Sequence, residues 1–305
     1  MTKIVINTSS FAAADRRPLE KLEQERIQYS LNPYRRQLKE EEIIELSQEA
    51  IGMIAGTEPL NKNVLTRLKN LKVISRCGVG QENVDLKTAE ALGIKVFTTP
   101  DSPTDAVAEL TVGLILNILR RITHMNQNLK QGFWNKEMGN LLKNKKIGIV
   151  GFGRIGQKVA GLLQGFNTEI RYYDPRPIFH SMNCQAMGFE ALLQWADVVS
   201  LHLSTSSISS IINEKEIRMM KKGSWLVNVA RGEVVHEIAL YNALFNGHLA
   251  GAALDVFSKE PYKGALQNLD NIILTPHIGS YAVEARIAME VEAVENLIEG
   301  LRGTR

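Results

Sequence analysis

The chain has 305 residues, of which 44% are hydrophobic and 23% charged, the make-up of an ordinary globular protein long enough for two domains with cores of their own. Its 36 Lys and Arg stand against 33 Asp and Glu, a net charge of +3 with no Lys/Arg-rich run, which argues against a nucleic-acid partner. The longest apolar run, 110–119, contains Thr111 and Asn117 and is too short to span a bilayer. Cys77 and Cys184 lack metal-ligand spacing and suit reduced thiols, so we expect a cytoplasmic protein with no metal and no membrane partner.

The first residues, Met1-Thr2-Lys3-Ile4-Val5-Ile6-Asn7, read as a strand and not as a signal peptide. Short β-rich runs then recur at 3–7, 52–55, 72–76 and 95–98, with helix-length stretches between them. That alternation predicts parallel sheets built from βαβ units. Two prolines and several cap-type residues at 98–103 mark a domain boundary, and a helix over about 104–117 follows. Further strand runs lie at 146–150, 169–173, 198–203, 225–229, 252–256 and 272–274, enough for one complete dinucleotide fold. The helix over 281–299 has no strand left to join there and is expected to pack on the first domain.

The most informative stretch is Gly148-Ile149-Val150-Gly151-Phe152-Gly153-Arg154-Ile155-Gly156, with Asp174 18 residues beyond Gly156. Gly151 allows a tight turn after a strand, Gly153 lets backbone amides approach a pyrophosphate, and Gly156 lets the helix pack close to the strand. The helix N-terminus, opening with Arg154 and Ile155, offers unpaired N–H groups and a partial positive charge. An acid at the position of Asp174 accepts both ribose hydroxyls of an adenosine and repels a 2′-phosphate. Together they predict NAD. Arg176 could instead meet a 2′-phosphate, but Asp174 argues against it.

Three polar segments follow, each at a predicted strand end, where a doubly wound sheet meets its dinucleotide. In Asn228-Val229-Ala230-Arg231-Gly232, Arg231 can pair a substrate carboxylate with two prongs. In Ala253-Leu254-Asp255-Val256-Phe257 and the Glu260-Pro261 beyond it, Asp255 is placed to accept a nicotinamide carboxamide, and Glu260 to touch a histidine. In Thr275-Pro276-His277-Ile278-Gly279-Ser280, His277 is the natural proton carrier. Arg231, Glu260 and His277 thus supply an anion clamp, the orienter of an acid/base, and the acid/base itself.

The order of these motifs closely resembles the D-isomer-specific 2-hydroxyacid dehydrogenases over nearly the whole chain. Within them it is most similar to the 3-phosphoglycerate dehydrogenases, in a short form lacking the C-terminal regulatory domain. Residues 76–85 look like that family's substrate loop, and 106–110 like the start of its interdomain helix. The resemblance implies an α/β protein of two doubly wound parallel-sheet domains. A Rossmann-type NAD domain, 100–280, would be inserted in a flavodoxin-like substrate domain, 1–99 and 281–305, with an active-site cleft between them. It further implies that Gly151, Gly153, Arg154, Ile155, Gly156, Asp174, Val229, Ala230, Asp255, Gly279 and Ser280 meet NAD. Arg76, Gly78, Val79 and Arg231 would meet a small 2-hydroxy acid, and Arg231, Glu260 and His277 would carry the chemistry.

The expected substrate is 3-phosphoglycerate, oxidised to 3-phosphohydroxypyruvate in serine biosynthesis. The alternatives are a glyoxylate/hydroxypyruvate or D-lactate-type reductase and an NAD(H)-sensing, corepressor-like binding protein. Arg76 suits a phosphate. A second phosphate-binding arginine would fall at 55–57, where Gly56 stands, and Arg35, Arg36 or Lys39 could substitute. Gln81-Glu82 adds a negative charge to the substrate loop, and Ser204-Thr205 replaces a more usual Leu-Pro or Thr-Pro. Cys77 is expected to be a packed, inert thiol. The apolar run 110–119 suggests a homodimer interface, burial within the subunit explaining it equally well.

Overall fold

The computed structural model describes residues 3–178, 180–203 and 210–303, so Ser204 and Thr205 lie outside the described residues. The chain forms two compact units, Met1–Pro103 with Tyr281–Arg305, and Thr104–Ser280.

The outer unit is built on five strands: β1 (Lys3–Ile6), β2 (Gln28–Leu31), β3 (Gly52–Ala55), β4 (Val73–Arg76) and β5 (Lys95–Thr98). All pairings are parallel, and the order β2-β1-β3-β4-β5 is that of a flavodoxin-like sheet. Four strands were expected here, and β2 is the addition. Its sequence, Gln-Tyr-Ser-Leu, is half-exposed at the sheet edge and has no apolar run to reveal it. The terminal helix Val283–Arg302 sets Met289, Ala293, Val294, Leu297 and Leu301 in one core with Ile4, Ile6, Ile54 and Val73. That burial ties the last residues of the chain to the first strand.

The inner unit has seven parallel strands: β6 (Lys146–Val150), β7 (Glu169–Tyr173), β8 (Gln185–Ala186), β9 (Val198–Leu201), β10 (Ser224–Asn228), β11 (Leu249–Leu254) and β12 (Ile272–Leu274). Their order, β12-β11-β10-β9-β6-β7-β8, reverses direction between β6 and β9, the point where doubly wound sheets take a dinucleotide. The two-residue β8 is exposed and carries no pattern that would announce it. The helix Thr104–Arg120 buries Leu114, Ile115, Ile118 and Leu119 in one core with Ile147, Ile149 and Val159, and Thr111 is buried on the same helix. Burial within the unit therefore accounts for most of the apolar run 110–119. The exposed apolar side chains lie further on: Ile122, Leu129, Phe133, Trp134, Met138 and Leu141. Among the described residues no helix is long and apolar enough to cross a membrane.

Candidate active site

The glycine turn is cut to the shape of a phosphate cradle. Gly151 follows β6 with φ +92°, a left-handed value that favours glycine. A Cβ there would meet the His202 carbonyl carbon at 2.6 Å. On Gly156 a Cβ would lie 2.2 Å from the Gly151 carbonyl oxygen, so only glycine lets the helix start this close to the strand. Gly153 is the N-cap of the helix Arg154–Gln164 and supplies no side-chain cap. A Cβ on Gly153 would meet nothing within 4 Å, which leaves open space beside the first helical amides. At the end of β7, Asp174 accepts the Phe152 amide at 2.9 Å and the Arg176 amide at 3.0 Å. The Arg176 guanidinium leans back on the same carboxylate at 3.4 Å.

The three reactive segments leave the same edge of the sheet, since Asn228 pairs with Leu254, and Leu254 with Leu274. Asn228 is fully buried and clamps its own turn: its Oδ1 accepts the Ala230 amide, and its Nδ2 donates to the Arg231 carbonyl. Arg231 is held extended, its Nη1 donating to the Ala230 carbonyl at 2.8 Å. A Cβ on Gly232 would sit 1.8 Å from the Phe257 carbonyl carbon, so glycine lets the Arg231 turn press against the loop that carries Glu260. Within that loop the Phe257 amide donates to Glu260 Oε1 at 3.1 Å, and Glu260 Oε2 lies 2.8 Å from His277 Nδ1. His277 itself adopts φ +54°.

Asp255 is tied into the turn that carries His277. Its Oδ1 accepts the Thr275 hydroxyl at 2.6 Å and the Ile278 amide at 2.8 Å, while Oδ2 accepts the Gly279 amide at 2.8 Å. The carboxylate is buried and holds the turn around His277. The supports Asn228 and Thr275 were not singled out in the sequence. A polar residue at a strand end beside a reactive loop was the available signal.

The family description that matches residues 112–279 is the D-isomer specific 2-hydroxyacid dehydrogenase, NAD binding domain. The chain belongs to this family. It is 42% identical over 260 residues to a glyoxylate reductase of Thermofilum pendens, covering 81% of this chain and 77% of the relative. It is 38% identical over 276 residues to a D-3-phosphoglycerate dehydrogenase of Methanocaldococcus jannaschii, covering 87% of this chain but 52% of that one. The crystal structure of the TT0316 protein from Thermus thermophilus superposes with a TM-score of 0.90 at 34% identity, over 99% of this chain and 97% of that one.

This 2-hydroxyacid dehydrogenase is accordingly an NAD-dependent oxidoreductase. Its cradle fits the cofactor: open space at Gly153, uncapped helical amides, and a carboxylate fixed at the end of β7. Bound NAD supplies the hydride acceptor, and NADH the donor.

In the dehydrogenase's outer unit the loop after β4 already engages one of its backbone amides. The Gly78 amide donates to the buried Thr99 hydroxyl at 2.8 Å, and Val79 beside it is exposed. Gly78 has φ +146°, and its missing Cβ would lie 1.3 Å from Arg76 Nη1. The Arg76 guanidinium therefore folds back across its own loop and donates to the Cys77 carbonyl at 3.0 Å. Arg36, one of the three candidate phosphate cations, is forked onto Glu42 at 2.8 and 2.6 Å. Cys77 is buried, and burial pushes its thiol up to about 11.

Proposed function

We propose that the enzyme interconverts a small D-2-hydroxy acid and its 2-oxo acid, with 1–99 and 281–305 recognising substrate and 100–280 holding the cofactor. The carrying observation is the 2.8 Å contact between His277 Nδ1 and Glu260 Oε2, which leaves the other ring nitrogen to face a substrate. In the reducing direction His277 gives the proton on Nε2 to the carbonyl oxygen as hydride reaches the carbonyl carbon. In the oxidising direction the same nitrogen removes the hydroxyl proton. Glu260 keeps the ring's orientation, Arg231 pairs the substrate carboxylate, and Asp174 accepts the adenosine ribose hydroxyls.

Of the two substrate classes, we favour the unphosphorylated one, glyoxylate or hydroxypyruvate. Arg36 is already paired with Glu42, and the Thermofilum relative is named a glyoxylate reductase. The 3-phosphoglycerate reading, with its place in serine biosynthesis, keeps the Methanocaldococcus relative in its support. NADH oxidation with glyoxylate, hydroxypyruvate and 3-phosphohydroxypyruvate separates them, and a phosphorylated preference would reverse our choice. The intact Arg231, Glu260 and His277 speak against a role limited to NAD(H) sensing.

We also propose a homodimer, with the exposed Phe133, Trp134 and Met138 as the face that a second copy would cover. A monomeric mass in sedimentation at micromolar concentration would refute it.

A further inference from the structure

The loop that presents Glu260 is tied down from a second direction. Residues 258–261, beyond β11, are exposed, yet Ser258 meets a carboxylate on another element. Glu237 Oε1 accepts the Ser258 amide at 2.8 Å and the Ser258 hydroxyl at 2.7 Å. Glu237 opens the helix Glu237–Phe245, which follows the Arg231 turn in the chain.

That helix has no need of Glu237 as a cap. His236 is its N-cap, and His236 Nδ1 accepts the Ala239 amide at 3.2 Å. The Glu237 carboxylate reaches across to the loop instead. Its place in the first helical turn favours its charge, and a charged acceptor makes the stronger hydrogen bond. The same peptide is also met by Gly232, whose missing Cβ would lie 1.8 Å from the Phe257 carbonyl carbon and 2.3 Å from the Ser258 nitrogen. Gly232 and Glu237 thus hold the Phe257–Ser258 peptide from one segment, 232–237. Just beyond that peptide the loop closes on the reactive pair. The Phe257 amide donates to Glu260 Oε1 at 3.1 Å, and Glu260 Oε2 lies 2.8 Å from His277 Nδ1. A continuous run of contacts therefore leads from Glu237 through Ser258 and Glu260 to His277.

We propose that Glu237 is a positioning residue for the acid/base pair: by holding Ser258 it keeps the Glu260 carboxylate against His277, and it joins the Glu260 loop to the segment that carries Arg231. The proposal rests on the reading of His277 as the proton carrier and deepens it. Reacting groups have to be held to within roughly 0.5 Å, and an exposed loop cannot do so without supports from a rigid element. A carboxylate only accepts, so the contact also fixes the proton of the neutral imidazole on Nδ1.

The test uses Glu237→Ala and Glu237→Gln, each checked for folding by circular dichroism. The other charged residues of the two segments, Arg231, Glu233, His236 and Lys259, are left as they are. We expect Glu237→Ala to lower kcat for the best 2-oxo acid about tenfold, with NADH affinity within about twofold of the parent's. Glu237→Gln keeps an oxygen for both donors and should stay within about threefold of the parent. A kcat within about twofold of the parent's in Glu237→Ala, or a Gln variant no better than Ala, overturns the proposal. A double-mutant cycle separates positioning from a general structural role. In a Glu260→Ala background the Glu237→Ala change should cost no more than about twofold further, and a full further tenfold loss overturns the proposal. Nitrogen NMR of the imidazole at alkaline pH keeps the test independent of turnover, the His277 signals being those that His277→Ala removes. They should report a proton on Nδ1 in the parent and a shift towards Nε2 in Glu237→Ala. If the parent reduces no 2-oxo acid, the reading of the function fails. Glu237 is then judged by this signal, and an unchanged tautomer overturns its positioning role.

Discussion

Asp255 Oδ2 accepts the Gly279 amide at 2.8 Å, so the residue that follows β11 shapes the turn that follows β12. His277 lies inside that turn with a left-handed backbone, and the same carboxylate also takes the Ile278 amide and the Thr275 hydroxyl. Three donors converge on one buried acid, and the loop is built before any substrate arrives. Replacing Asp255 by Asn turns an acceptor into a donor that faces a backbone N–H, a loss on the order of 1–3 kcal/mol for a buried unpaired group. We expect kcat to fall at least about tenfold while KM for the oxo acid moves less. Steady-state kinetics on a folded Asp255→Asn protein test this, and an unchanged kcat would refute the supporting role.

Cofactor choice follows from Asp174. Its carboxylate is fixed by the Phe152 and Arg176 amides, and we propose that it accepts the ribose hydroxyls and repels a 2′-phosphate. The parent should use NADH in clear preference to NADPH. In Asp174→Ala the ratio of kcat/KM for NADPH to that for NADH should climb about tenfold or more, since the repulsion is removed and Arg176 is released. Equal use of both cofactors by the parent would contradict this assignment.

His202 links the fold to pH. It lies buried beyond β9, its Nε2 2.8 Å from the Ser200 hydroxyl, and burial pushes its pKa from an ordinary 6.5 down to about 3. A lowered histidine contributes stability that is fully present above 6.5 and is lost as pH falls towards 3, because the unfolded chain binds a proton that the native one refuses. The loss approaches about 1.4 kcal/mol per pH unit within that window. Glu58, raised by burial, pulls the other way above its ordinary value, so the comparison needs a variant. Chemical denaturation between pH 6.5 and 5 should show a shallower loss of stability in His202→Gln than in the parent. Equal slopes would mean that His202 takes up its proton in the native state.

Cys77 should be inert although it opens the loop after β4. Burial holds its thiol near 11, so the reactive thiolate is scarce and shielded. Iodoacetamide at pH 8, followed by peptide mass spectrometry, should leave Cys77 unlabelled in the native protein and label it in denaturant. Rapid native labelling would show that the loop opens.

Much of this was legible in the chain because backbone demands leave a residue signature. Gly151 needs a left-handed φ, Gly156 needs a missing Cβ, and both announce themselves by spacing. Arg231, Glu260 and His277 follow consecutive strands, and parallel topology then brings those strand ends to one edge. What escaped lacked such a signature. β2 is a half-polar edge strand that one neighbour holds in place, and periodicity does not expose it. The work of Asp255 depends on where three donors point, which tertiary structure alone decides. The hydrogen bond from the Gly78 amide to Thr99, 21 residues away, likewise depends on tertiary structure. In the sequence Glu58 is one more loop acid, and only its burial sets it apart.

The proposed mechanism depends on His277, held by Glu260, as its proton carrier. The most direct measurement is single-turnover NADH oxidation by the parent and by His277→Ala, with the oxo acid that the parent reduces best. We predict a rate lower by about a hundredfold or more in the variant, with NADH affinity by fluorescence titration within about threefold of the parent's. A folded His277→Ala protein that keeps more than about a tenth of the parent's rate would contradict the mechanism.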